Sequence, residues 1–286
     1  MNFLNKIIHE DSDNVGKIKY KYNKKTQNIT PQYRKSSIDD ISNIVSTIHF
    51  KDGKKILLIG ICGGQASGKK KISEYFHNHI KRSETICEMS FFKPSEKDRQ
   101  LSKEEESLIK DYDFYSKERR LYLIDICNPD FYDYDKFYDV LKKLGEGQTV
   151  QIPYFDEKEC KFNPEKDKTI DPIKTPLIII DGYFIFKNQK IRELLNLKIF
   201  KEVEDDVRLS RLVLREEKYL KNNFDAYEIY FAIYERFYKK CFDESILPYK
   251  KYANILLPDY NVTEDDEVEG DEALEFLMSN LNNLSK

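Results

Sequence analysis

Between residues 56 and 70 an apolar run, Ile56-Leu-Leu-Ile-Gly-Ile-Cys62, passes directly into Gly63-Gly-Gln-Ala-Ser-Gly-Lys-Lys70. The apolar run suits a parallel strand covered on both faces. The next stretch fits G-x-x-x-x-G-K, and Ile72, Phe76 and Ile80 then recur at helical spacing from Lys69 onward. Glycines allow the backbone to curl so that successive N–H groups point inward, and the positive end of the following helix adds to that field. Four of the ten glycines fall between Gly60 and Gly68, too dense for background. The plain alternative is an ordinary glycine-rich turn. The strand–loop–helix context favours a phosphate loop, with Gly63, Gly64, Gln65, Ala66, Ser67, Gly68 and Lys69 around the phosphates of a nucleotide and Lys69 at the terminal ones. The eighth position, where such loops place the Ser or Thr hydroxyl that binds Mg²⁺, holds Lys70. An ammonium cannot ligate a metal, but it can fill the region where the metal's charge would sit.

The remaining pattern alternates strands with helices. Thr85 to Met89, Leu177 to Ile180, Leu197 to Phe200 and Ile255 to Leu257 read as strands. Asp133 to Leu144, ended by Gly145, and the segments Asp205 to Leu220 and Ala226 to Phe242 read as helices. Leu274, Leu277, Leu281 and Leu284 mark a closing amphipathic helix, after an acidic loop, Glu264 to Asp271. The expected class is α/β, a doubly wound parallel sheet with flanking helices. Residues 1–53 read as an N-terminal extension: a polar, lysine-rich arm, then a short amphipathic helix with Ser37 ahead of Ile38, Ile41, Val45 and Ile48. Residues 54–286 form the expected main domain.

Composition narrows the function. Net charge is -3, so no bulk nucleic-acid binder is expected. The five cysteines include no CxxC pair, which argues against a disulfide framework or zinc site and for a reducing compartment. No apolar run approaches the ~20 residues of a membrane span, and Met1 to Asp13 lacks a secretory pattern. A cytoplasmic protein without membrane contact is the expectation. All four histidines precede residue 80, so chemistry built on later residues must use carboxylates, lysines or backbone.

Several segments, in order, resemble the uridine-cytidine kinases of the phosphoribulokinase/uridine kinase family. The loop Gly63 to Lys69 is similar to that family's G-G-x-A-S-G-K, and Gly145-Glu-Gly-Gln-Thr-Val-Gln-Ile-Pro153 to its E-G-K-T-V-Q-I-P. Asp181-Gly182 stands where the family has Glu-Gly, Arg208-Leu-Ser-Arg-Leu-Val-Leu-Arg215 resembles R-L-S-R-R-V-L-R, and Pro248-Tyr-Lys-Lys-Tyr-Ala253 resembles P-T-K-K-Y-A. The resemblance implies a five-stranded parallel sheet, a small β-hairpin over the acceptor site, a helical lid and ATP as phosphoryl donor. It also implies that Arg215 touches the nucleotide and that Asp181 organises the water shell of a metal.

The departures concentrate in the acceptor pocket that the resemblance implies, formed by Met89, Phe92, Cys127, Phe155, Cys160 and Leu212. Met89 replaces the Asp proposed as base, and a thioether cannot accept that proton. Glu88 is adjacent, but neighbouring strand positions face opposite ways. Cys127 replaces an Asp offered to ribose, Phe155 and Cys160 stand where the family presents Tyr and His to the base, and Leu212 replaces an arginine. Tyr219-Leu-Lys-Asn222 carries no lid arginine. Cys127 and Cys160 both align to this pocket, and two readings stay open for them: a facing pair with a redox or metal role, and, more plainly, two small buried hydrophobes. Arg208 and Arg211 read as a solvated helix face.

Three readings stay open: a pseudokinase that keeps nucleotide binding while Mg²⁺ use is lost; an active kinase for a different small-molecule hydroxyl; and a structural subunit of an assembly, as a homo-oligomer or with a protein partner.

Overall fold

A computed structural model describes residues 56–94, 103, 105–106, 117–221, 224–259 and 272–284. The strands are β1 (Leu57–Gly63), β2 (Ser83–Cys87), β3 (Val150–Ile152), β4 (Phe155–Asp156), β5 (Lys161–Phe162), β6 (Lys168–Ile170), β7 (Leu177–Gly182), β8 (Leu197–Lys201) and β9 (Ile255–Leu257). The helices are α1 (Lys69–His79), α2 (Lys117–Asp125), α3 (Tyr134–Gly145), α4 (Gln189–Leu194), α5 (Asp205–Arg215), α6 (Glu217–Leu220), α7 (Phe224–Ile233) and α8 (Glu272–Leu284).

Five strands form one parallel sheet in the order β2-β7-β1-β8-β9. All residues of β1 and β7 are buried, which is why both read as continuous apolar runs and not as alternating ones. Alternate side chains still serve opposite faces. Leu57, Ile59 and Ile61 join Ile72, Phe76, Leu277 and Leu281, packing the sheet on α1 and α8. Leu58, Cys62, Ile178 and Ile180 join Phe137, Leu141 and Leu144 of α3 in the core on the other face. Two small antiparallel pairs, β3 with β6 and β4 with β5, lie outside the main sheet.

The parallel sheet and its flanking helices agree with the class read from sequence. Element boundaries differ in places. The second strand ends at Cys87, and Glu88–Phe91 is a 3₁₀ turn, so strand alternation does not govern Glu88 and Met89. Gly145 is the last residue of α3; the left-handed residue beyond it is Gly147, with φ of 83°. The long helix expected from Asp205 breaks at Glu216 into α5 and α6. Helices α2 and α4 carried too short or too polar a stripe to be seen. The N-terminal extension, the acidic loop and Asn222 lie outside the described residues, as do the side chains of Leu274 and Leu284.

Ile180 sits in the middle of β7 with no exposure, its register partners being Gly60 on one side and Ile86 on the other. Ile180→Ala should lower unfolding stability by about 2–5 kcal/mol, with an unchanged m-value, in urea melts.

Candidate functional site

The carboxyl ends of the parallel strands converge on one edge. The β1 register sets Cys62 against Gly182 and Gly63 against Lys201, so the loop after β1 emerges between the ends of β7 and β8. Gly68 caps α1 in the left-handed region at φ 85°, a conformation suited to glycine. A Cβ on Gly64 would lie 2.5 Å from Nη1 of Arg208, so backbone and guanidinium touch there only because that side chain is absent.

Lys69 is buried and donates from Nζ to the Gly64 carbonyl at 2.8 Å, while resting 4.0 Å above the ring centre of Tyr183. Burial lowers its pKa to about 8, against the opposing pull of Cys62 and Asp181. The Ser67 hydroxyl and Gln65 Oε1 are buried in the same loop with no hydrogen-bond partner. These polar atoms, the curled backbone and the lysine make a cradle suited to phosphate oxygens.

The cradle opens into a cleft of about 1120 Å³. Its walls include Met89, Phe155, Leu212, Arg215, Asp181 and Lys70. Among the acceptor-pocket residues expected from sequence, Phe92 and Cys127 stand behind this lining, and Cys160 sits on the β4–β5 turn with φ of 51°. Phe92 packs edge-on to Phe155 with ring centres 5.2 Å apart. Met89 Sδ accepts from the Tyr132 hydroxyl at 3.4 Å.

Glu88 is fully buried and accepts from the backbone N–H groups of Tyr183 at 2.6 Å and Phe184 at 3.1 Å. Its carboxylate therefore anchors the turn after β7. Burial pushes its pKa up to about 7, although those two N–H groups and Lys69 pull the other way. Asp181 is also buried and raised by burial, with Lys69 opposing and the Cys87 thiol hydrogen-bonded to it. Lys70 is exposed at the start of α1. Burial works against its charge, but the carboxylates of Glu157 and Glu74 outweigh it and raise its pKa.

Three sequence expectations are corrected. Cys127 does not face Cys160: its sulfur and that of Cys241 both accept from Gln65 Nε2, at 3.6 and 3.7 Å. Cys160 instead sits on the β4–β5 turn, hydrogen-bonded to the Glu157 carbonyl and to the Arg119 side chain on α2. Arg208 is not solvated: it has no exposure, pairs with Asp205 and lies 3.7 Å from the Phe242 ring centre. Arg211 reaches the phosphate loop, donating to the Ala66 carbonyl at 3.4 Å and to Asp259 at 2.8 Å.

Other residues of the cleft escaped sequence reasoning. Glu157 accepts from the Tyr122 hydroxyl at 2.8 Å, and Arg119 joins Glu216 at 2.6 Å while donating to the Glu157 carbonyl. These partners lie 35 to 97 residues apart, beyond any local pattern. Buried Lys201, at the end of β8, pairs with Asp259 at 3.4 Å. Tyr183 had a signal available, since it directly follows Asp181-Gly182.

A buried strand, a glycine loop closing on its own lysine and a helix starting at that lysine define the P-loop kinase class of α/β fold. The model of the phosphoribulokinase/uridine kinase family matches residues 58–265, and the chain belongs to that family. It is 30% identical over 208 residues to uridine-cytidine kinase B of Dictyostelium discoideum, covering 72% of this chain and 75% of that one. It is likewise 30% identical over 203 residues to uridine kinase-like protein 3 of Arabidopsis thaliana, but spans only 39% of that protein's length. A crystal structure of a candidate fructose transport system kinase from Silicibacter sp. TM1040 superposes with a TM-score of 0.54 at 18% identity, over 78% of this chain and 99% of that one. Among the described residues no helix is long and apolar enough to cross a membrane.

Glu88 carries a further consequence for pH dependence. Because its folded-state pKa lies above the ordinary 4.5, at about 7, its stabilising contribution is complete below about pH 4.5 and is lost as pH rises through 7. Between pH 5 and 8 the thermal midpoint of Glu88→Gln should therefore decline less than that of the unaltered protein. Parallel declines would show that Glu88 stays ionised when buried.

Proposed function

We propose that this protein is a uridine kinase-like nucleotide binder in which phosphorylation of a nucleoside 5′-hydroxyl is impaired, and that ATP binds its phosphate loop without requiring Mg²⁺. The observation that carries this reading is the occupancy of the cleft opposite Lys69. The acceptor wall offers the Met89 thioether, already hydrogen-bonded to Tyr132, and the neighbouring Glu88 is held in the turn after β7. General acid–base help is worth on the order of 10²–10⁴-fold in rate. A site without partners for ribose hydroxyls also rejects nucleosides strongly.

The cradle fits phosphate, whereas the donor set does not fit a loop-bound Mg²⁺. Position 70 supplies an ammonium where a hydroxyl ligand is needed. Lys70, raised in basicity by Glu157 and Glu74 against burial, would supply the positive charge itself. Arg215 stands close enough to Lys69 to depress its basicity and would meet the same phosphates.

A second reading is an active kinase for a different small-molecule hydroxyl. The volume of the cleft and the carboxylates in its lining, Asp181 and Glu157 among them, favour it. Phosphoryl transfer rests mainly on positioning and charge, so a missing base can be survived.

Calorimetric titration with ATP separates the two. Affinity should be unchanged between Mg²⁺ and EDTA, and Lys70→Ala should weaken it about tenfold or more, the worth of a charge-assisted hydrogen bond. A strict Mg²⁺ requirement, accompanied by turnover of a hydroxyl acceptor, would instead establish the second reading. Since free Lys69 titrates near 8 and only its ammonium form holds phosphate, affinity should be weaker at pH 9 than at pH 7. Equal affinity at both would remove Lys69 from the phosphate contact.

A further inference from the structure

Gln65 is the residue through which the phosphate loop is fastened to the rest of the molecule on its acceptor side. Its amide nitrogen donates to two sulfurs, Cys127 at 3.6 Å and Cys241 at 3.7 Å, while its oxygen is buried and unpartnered. Cys127 follows α2, and Cys241 lies in the long helical segment after α7, 114 residues further along the chain. Both cysteines are free and buried. Thus one loop side chain, in a site expected to hold phosphate, depends on a pair of thiols brought together from distant segments.

We propose that Cys127 and Cys241 are a dithiol modification site, oxidised by hydrogen peroxide to a disulfide that releases Gln65 and loosens the phosphate loop. The geometry meets the first requirement, proximity: both sulfurs lie within 3.7 Å of one nitrogen and hydrogen-bond one another. A disulfide needs a sulfur separation of about 2 Å, so the hydrogen-bonded sulfurs must close further for the bond to form. The second requirement is an attacking thiolate with a resolving thiol beside it. Cys241 is favoured as the thiolate, its pKa lowered by the Cys127 hydrogen bond with help from Gln65 and Lys187 and against burial. Burial pushes Cys127 well up, so it keeps its proton. The third requirement is a route. Gln65 lines the cleft, the two cysteines do not, and a peroxide would reach them past the Gln65 side chain.

The chemistry balances. The Cys241 sulfur attacks one peroxide oxygen, the O–O bond breaks, and a sulfenic acid forms with release of one water. The Cys127 sulfur then attacks the Cys241 sulfur and displaces hydroxide, which takes the Cys127 proton and leaves as a second water. Two thiols lose two electrons in all, and one peroxide becomes two waters. The sulfurs move towards each other and away from Gln65, whose amide then has neither end satisfied.

The loosening of the loop does not depend on ATP being the ligand; only its effect on affinity rests on the nucleotide-binding reading. The full-length reduced protein would be treated with hydrogen peroxide, alkylated under denaturing conditions and mapped by mass spectrometry without reduction. Expected are a Cys127–Cys241 linked peptide pair, faster hydrogen exchange across residues 64–68, an ATP affinity about tenfold weaker, and reversal of all three by dithiothreitol. Cys241→Ser should abolish both the link and the peroxide effect on exchange while leaving the untreated loop protected. Recovery of both cysteines as alkylated thiols, or a link with unchanged exchange, would overturn the proposal. If reduced protein binds no ATP at all, the nucleotide reading fails, and the linked peptide and the exchange rates still decide the thiol site.

Discussion

Parallel pairing of β1 with β7 and β8 is the constraint from which the site follows. Its register brings Asp181, Gly182 and Lys201 level with the last residues of β1, so three strand ends deliver their side chains to the mouth of one loop. Ligands of open α/β sheets bind at such carboxyl edges, where the chain must leave the sheet in different directions. The loop can then curl only if its backbone meets no side chain on the wrong side. At Gly64 the space that a Cβ would occupy is taken by the Arg208 guanidinium, itself 3.7 Å from the centre of the Phe242 ring. The fold thus sets a buried cation directly beneath the anion cradle, and the missing Cβ of a single glycine is what allows it.

Much of this was legible in the amino-acid order because the features concerned are local. The Ile56–Cys62 run, the glycine spacing and the stripe on α1 each sit within one element, and their physical meaning does not depend on what packs against them. The departures at Met89, Cys127 and Lys70 were equally plain, being single residue types in a readable frame. What stayed hidden was contact between distant segments. Nothing near Arg208 announces that Phe242 will cover it, so a helix with arginines at positions 208, 211 and 215 looks like a wet face. A facing pair of Cys127 and Cys160 is one reading of the sequence, yet Cys160 lies on a left-handed turn beside Arg119 and the thiol beside Cys127 is Cys241, from a helix 114 residues away. Glu88 and Met89 were judged by strand alternation, and a 3₁₀ turn begins at Glu88 instead. Alternation is a property of extended backbone and lapses where the strand ends.

The distribution of charge around the cleft bears on how a ligand would enter. Arg119 pairs with Glu216, and Arg211 and Lys201 pair with Asp259. Lys70 feels Glu157 across the opening. Burying a charge is costly unless it is compensated, and here the compensation is intramolecular. Most of the cations near the loop therefore already have a carboxylate partner. Lys69 differs, since its closest contacts are a carbonyl and an aromatic face, and its lowered pKa reflects that thin compensation.

A triphosphate arriving in this cleft would consequently compete with two kinds of contact. At Lys69 it replaces a neutral oxygen and a ring by a full anion, a clear gain in a low-dielectric setting. At Lys70 and Arg211 it must share cations with Glu157 and Asp259, so part of the attraction is offset by repulsion from those carboxylates. Glu157 sits on the β4–β5 turn, tied to the main body by Tyr122 and Arg119. Tyr122 and Arg119 belong to α2, which ends two residues before Cys127, one of the thiols that hold Gln65. From Lys70 to Gln65 the β4–β5 hairpin, α2 and the two thiols thus follow one another in a short series of contacts, each of which can be altered by one substitution.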